Sequence, residues 1–201
     1  MIFRFRVSLI PCLTISLIPL IILLIYMKNI YLTGFMGTGK TTVGKILARK
    51  LGKEFIETDA LIEQEQGKKI VDIFSDKGEG YFRGLENRLI KELASKKDLV
   101  ISCGGGLICN EVNLELLKKT GVVFSLMARS EVIYERTKKY THRPLLNVDK
   151  PLEKIEELLE KRKPYYLKAH YVIDTEDFSP QKVADKIVGI LSHGEKRFNF
   201  A

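Results

Sequence analysis

The chain is poor in the residues that build small disulfide-linked or zinc-held scaffolds. Its 201 residues include three cysteines and three histidines. Cys12 lies in an apolar stretch, while Cys103 and Cys109 flank a glycine run. The odd count argues against a disulfide framework, and no cysteine–histidine spacing suggests zinc. Reduced thiols in a cytosolic protein are therefore expected. Internal repeats are also lacking, which excludes a stacked-repeat architecture. Disorder is excluded by the opposite kind of evidence, since 45% of the residues are hydrophobic and 29% charged. The length suits one domain with a sizeable core and leaves little room for two.

Acidic charge is absent from residues 1–26, which carry Arg4, Arg6 and 19 apolar residues. From Val7 to Met27 there is no charge at all, a run long enough to cross a bilayer as a helix. Pro11 and Pro19 interrupt it, however, and no small-x-small cleavage site follows. The next residues, Lys28-Asn29-Ile30-Tyr31-Leu32-Thr33, read as a strand entering a glycine-rich loop with no linker before it. The expectation is that residues 1–26 are an apolar extension from an over-extended gene model and that Met27 is the start. A membrane anchor and a targeting peptide are the alternatives. Residues 27–192 then form the folded domain and 193–201 a polar tail. Without the extension, 31 basic and 25 acidic residues remain, an ordinary globular balance.

Beyond Met27, short apolar runs alternate with amphipathic ones. Strands are expected at Ile30–Thr33, Phe55–Thr58, Leu99–Cys103, Val122–Leu126 and Tyr171–Asp174. Helices are expected at Thr41–Leu51, Gly80–Ser95, Asn113–Lys119, Glu131–Lys138, Leu152–Lys163 and Pro180–Leu191. Helical turns are expected over Ala60–Gln66 and Ile70–Asp76. This alternation predicts an α/β fold, a parallel sheet covered on both faces, with ligands beyond the carboxyl ends of the strands.

The first strand ends in Gly34-Phe35-Met36-Gly37-Thr38-Gly39-Lys40-Thr41, which satisfies the Gly-x4-Gly-Lys-Ser/Thr phosphate-loop pattern. Its glycines allow successive N–H groups to turn toward one anion at a helix N-terminus. Lys40 can then reach the β- and γ-phosphates of ATP, and Thr41 can ligate Mg2+ directly. Gly37, Thr38, Gly39, Lys40, Thr41 and Thr42 are the expected ATP-binding residues of this segment.

Further motifs narrow the reaction. The second strand ends in Glu57-Thr58-Asp59, the third in Gly104-Gly105-Gly106, and one helix carries Phe82-Arg83 with Glu86. Arg136, His142-Arg143-Pro144-Leu145-Leu146 and Lys161-Arg162-Lys163-Pro164-Tyr165-Tyr166 follow. In this order and spacing they resemble the shikimate kinase family, from Met27 to about Leu191. The resemblance implies a P-loop NTPase-like three-layer α/β/α fold with a five-stranded parallel sheet and a lid loop. It implies ATP-dependent phosphorylation of shikimate to 3-phosphoshikimate, with Mg2+, in aromatic amino-acid biosynthesis. A cytoplasmic monomer with no nucleic-acid or membrane partner goes with it.

The same resemblance assigns roles. Lys40, Asp59 and Arg143 would be catalytic, with Asp59 contacting the reacting hydroxyl as a base. Capping of the following helix is another use open to Asp59. Arg83, Arg162 and the run Gly104, Gly105 and Gly106 would hold shikimate, the arginines suiting its carboxylate. Glu86, one helical turn from Arg83, would orient that guanidinium. The alternative for this pair is a surface ion pair of little worth. Phe74 and Phe82 fit either a pocket wall or plain core. Arg143, within a lid over Lys138–Val148, would offset charge on the transferring phosphoryl group. Arg136 would lie on the adenine side, near a loop over Thr175–Ser179.

One departure stands out. Family members commonly have Asp-Ser/Thr-Asp where this chain has Glu57-Thr58-Asp59. Glu57, one methylene longer, is expected to reach a magnesium-bound water with altered geometry. The alternative readings are a gluconate-kinase-like enzyme for another small metabolite and a membrane-anchored, non-catalytic nucleotide-binding protein. The second would predict loss of Lys40, Asp59 or Arg143, and all three are present. The excess of basic residues suits two anionic substrates. No nucleic-acid motif accompanies it.

Overall fold

The computed structural model describes residues 28–138 and 148–193. The apolar extension with Met27, the tail from residue 194, and most of the expected lid, Arg143 included, lie outside the described residues.

Strand β1 (Asn29–Gly34) leads through the phosphate loop into α1 (Lys40–Leu51). Then come β2 (Glu54–Glu57), α2 (Thr58–Gln66), α3 (Ile70–Ser95) and β3 (Leu99–Ser102). A single 3-10 turn (Leu107–Cys109) precedes α4 (Glu111–Thr120), β4 (Gly121–Met127) and α5 (Ser130–Thr137). The chain closes with α6 (Pro151–Tyr166), β5 (Tyr171–Asp174) and α7 (Pro180–His193). All strand pairings are parallel, in the order β2-β3-β1-β4-β5. The carboxyl ends of all five strands therefore share one edge.

Strand residues alternate between the two faces of the sheet. Ile30 and Leu32 of β1 and Phe124 and Leu126 of β4 pack with α1 and α7 through Val43, Leu47, Val183 and Ile187. Tyr31, Ile101 and Val123 turn the other way, into a layer carrying Ile62, Leu89, Ile90, Leu114, Ile133 and Ile155. The three-layer α/β/α expectation holds. Fully buried side chains such as Leu47 and Ile90 each contribute about 1.5–3 kcal/mol.

Local chemistry sets the element ends. Asn110 caps α4 by accepting from the Val112 N–H at 2.9 Å. Helix α3 contains a break at Gly78 (φ 79°, ψ 170°), between the two helical segments expected from the sequence. Helix α1 approaches the sheet closely because residue 44 is glycine. A Cβ there would lie 2.5 Å from Cε2 of Phe55 and 3.3 Å from Cδ1 of Leu32.

The edge opposite the phosphate loop is held by Asn29. Its amide donates to the Lys96 carbonyl at 2.9 Å and accepts from the Leu99 N–H at 3.1 Å. The hydroxyls of Tyr31 and Thr120 meet beside it at 2.8 Å. Among the described residues, no helix is long and apolar enough to cross a membrane.

Candidate active site

The phosphate loop leaves the central strand with Gly34, Gly37 and Gly39 at φ values of 130°, 79° and 92°. Side chains rarely adopt such angles, which explains the glycines. The Lys40 ammonium folds back over the loop and donates to the carbonyls of Gly34 and Phe35, both at 2.9 Å. The Thr38 hydroxyl turns inward to the Phe35 carbonyl at 2.8 Å, so its side chain braces the loop. Thr42 is exposed, one residue beyond Thr41.

Thr41 and Glu57 meet directly, the Thr41 hydroxyl donating to the Glu57 carboxylate. One hydroxyl and one carboxylate beside a phosphate cradle suit Mg2+, which keeps most of its water and takes few protein ligands. Their juxtaposition fits the metal role expected of both.

Arg136, near the end of α5, joins two loops. Its guanidinium donates to the Gly37 carbonyl at 3.5 Å, the Thr175 hydroxyl at 3.1 Å and the Thr175 carbonyl at 2.8 Å. The phosphate loop and the loop after β5 are thereby tied together on the side expected for adenine.

The acceptor side begins at β2. Asp59 lies within the first turn of α2, and the N-cap position falls on Glu57. The capping alternative for Asp59 is therefore incorrect, because the helix starts one residue before it. Burial raises the Asp59 carboxyl above the usual range, opposed by the positive charges of Lys40 and Arg83 and assisted by Glu57. Asp59 thus sits between the phosphate loop and α3.

On α3, the Arg83 guanidinium donates to Glu86 at 2.5 Å and to Glu79 at 2.7 Å. Glu86 is 1% exposed, which rules out a mere surface ion pair for that contact. One oxygen, Oε1, has no hydrogen-bond partner. Burial pushes the Glu86 carboxyl up to about 7, against the pull of Arg83. Phe82 is buried core and Phe74 half-buried, their rings 4.9 Å apart.

The glycine run closes the pocket. A Cβ on Gly104 would strike Oε1 of Glu86 and lie 2.6 Å from Oδ1 of Asp59. One on Gly106 would lie 2.6 Å from a nitrogen of Arg83. Arg162, from α6, stacks over Phe35 with its guanidinium carbon 5.5 Å from the ring centroid. Arg83, Glu86, Asp59, Arg162 and the glycine run therefore lie together.

Sequence reasoning missed two residues. The Thr58 hydroxyl accepts from the Gly104 N–H at 2.9 Å and donates to the Ser102 carbonyl at 3.3 Å, joining β2 to the glycine run. The Tyr166 hydroxyl donates to the Gly105 carbonyl at 2.7 Å. Cys103 is fully buried, with its thiol raised by desolvation, so it is unreactive.

A sequence profile described as Shikimate kinase matches residues 36–192. A shikimate kinase from Thermodesulfovibrio yellowstonii is 52% identical over 162 residues, covering 81% of this chain and 94% of its own. The chain belongs to the shikimate kinase family. A solved structure of shikimate kinase from Acinetobacter baumannii in complex with shikimate is 41% identical, with a TM-score of 0.81. That match covers 85% of this chain and 96% of the other. A gluconokinase from Sinorhizobium meliloti shares the fold at 19% identity, with a TM-score of 0.56, covering 83% of this chain and 93% of its own. The shikimate kinase family is thus favoured over a gluconate-kinase-like assignment.

Proposed function

We propose that the chain phosphorylates shikimate, transferring the γ-phosphoryl group of ATP to give ADP and 3-phosphoshikimate. The carrying observation is Asp59, a buried carboxyl between the phosphate-loop Lys40 and the Arg83–Glu86 pair. A base there faces ATP on one side and an anionic acceptor on the other. Arg83 and Arg162 would bind the acceptor carboxylate, and Gly104–Gly106 would let the backbone approach its ring.

In the transfer, the acceptor oxygen forms the new P–O bond as the bond to ADP breaks. The hydroxyl proton passes to Asp59, whose raised affinity for a proton suits a base. Lys40 offsets charge on the phosphoryl oxygens. When bound, Mg2+ would supply positive charge that offsets part of the charge on the phosphates. Thr41 and Glu57 would hold it, Thr41 directly and Glu57 through water.

Coupled ADP release, compared with shikimate, gluconate and nucleoside monophosphates as acceptors, tests the reading. Turnover with shikimate is expected, and release with gluconate alone would overturn it. In the same assay, Glu57→Ala should raise the magnesium needed for half-maximal rate. The reading also makes the enzyme a cytoplasmic monomer, which light scattering and cell fractionation check.

A further inference from the structure

Tyr166 ends α6 one helical turn after Arg162. Its side chain is buried, 1% exposed, although a hydroxyl gains little from an apolar interior unless it is paired. The hydroxyl has such a partner. It donates to the Gly105 carbonyl at 2.7 Å, across 61 residues of sequence. The positive charge of Arg162 lies close enough to act on the phenol. The phenol thus pins the glycine run beside the guanidinium.

Arg162 has a neighbour on each of two sides. Its guanidinium lies against the Phe35 ring, and a Cβ on Gly105 would lie 3.6 Å from its Nη1. A stacked ring holds the guanidinium plane but leaves it free to slide. A neighbouring backbone that is itself held in place limits that sliding. Burial keeps the phenol protonated, well above its ordinary pKa, so donation to Gly105 persists through neutral pH.

We propose that Tyr166 is a positioning residue for the acceptor pocket, its hydroxyl fixing the Gly105 backbone beside Arg162. The arginine and the glycine run then meet the substrate as one preset unit, which lowers the ordering cost of binding. The inference rests on the assignment of Arg162 and Gly105 to the acceptor pocket. Tyr165, the neighbouring ring, carries Lys168 over its face 5.4 Å from the centroid and serves as the comparison.

The test uses the full chain with Tyr166→Phe, Tyr165→Phe and Arg162→Lys. Steady-state kinetics with each substrate varied, calorimetric titration with shikimate, and thermal unfolding are measured for all three. Tyr166→Phe keeps the ring and removes one hydroxyl, so the fold should persist. It should raise the KM and Kd for shikimate about three- to tenfold. Its kcat, its KM for ATP and its melting temperature should change little. Arg162→Lys should raise the shikimate KM further, and Tyr165→Phe should leave it unchanged. An unchanged shikimate KM in Tyr166→Phe, with a raised one in Arg162→Lys, would overturn the positioning role alone. An unchanged KM in both would overturn the pocket assignment beneath it. A parallel rise in both substrates' KM with lower melting temperature would also reject the proposal, because it marks general damage.

Discussion

The phosphate loop draws its groups from eight consecutive residues, Gly34–Thr41, and works largely through the backbone. The acceptor pocket instead collects side chains from the start of α2, the middle of α3 and the end of α6 around the glycine run. The first depends on local dihedral angles, the second on how helices pack across the sheet. A small local change can therefore disable the loop, whereas the pocket also responds to shifts in distant elements.

Asp59 is the sharpest test of that contrast, because it borders both halves. Asp59→Asn should lower kcat by about 10²–10⁴ while ATP affinity stays near the starting value. Steady-state rates with separate nucleotide titrations decide it. Loss of ATP binding instead would place Asp59 in the phosphate half. Gly104→Ala comes next. Its methyl group would collide with Glu86 and crowd Asp59, so kcat/KM for shikimate should fall about 10²-fold. The KM for ATP should remain unchanged; an equal rise would erase the division between halves.

Glu86→Gln carries the smallest expected effect and is read in stability. Burial raises the Glu86 pKa from an ordinary 4.5 to about 7, although Arg83 and Arg162 oppose the shift. The folded state therefore holds the proton more tightly than the unfolded chain. The stability this provides is complete below about pH 4.5 and is lost as pH rises through about 7. Melting temperatures from about pH 4.5 to 8 should decline more steeply for the wild type than for Glu86→Gln. Parallel curves would show that Glu86 does not titrate in this window.

The same contrast explains what was legible in the sequence. The phosphate loop is contiguous, so residue types and spacing revealed it. Arg83 and Glu86 were visible as a pair because helical periodicity brings residues three apart together. Tyr166 was part of a recognised string, yet its partner Gly105 lies across the fold, and no local pattern signals that bond. Thr58 was hidden between two acids that drew the attention. Its hydroxyl bonds depend on β2 lying beside β3, and alternation alone does not specify strand order. Asp59 showed the limit of local capping rules, since an earlier helix start moved it from the cap into the first turn.

Gly44 shows how a fault in packing can disguise itself as a fault in chemistry. A methyl group there would press on Phe55 and lever α1 away from the sheet. The same helix aims its N-terminus at the phosphates, so the displacement would surface as poor nucleotide affinity. A screen scoring only ATP binding would then place this position in the binding site, although its neighbours are a phenylalanine and a leucine.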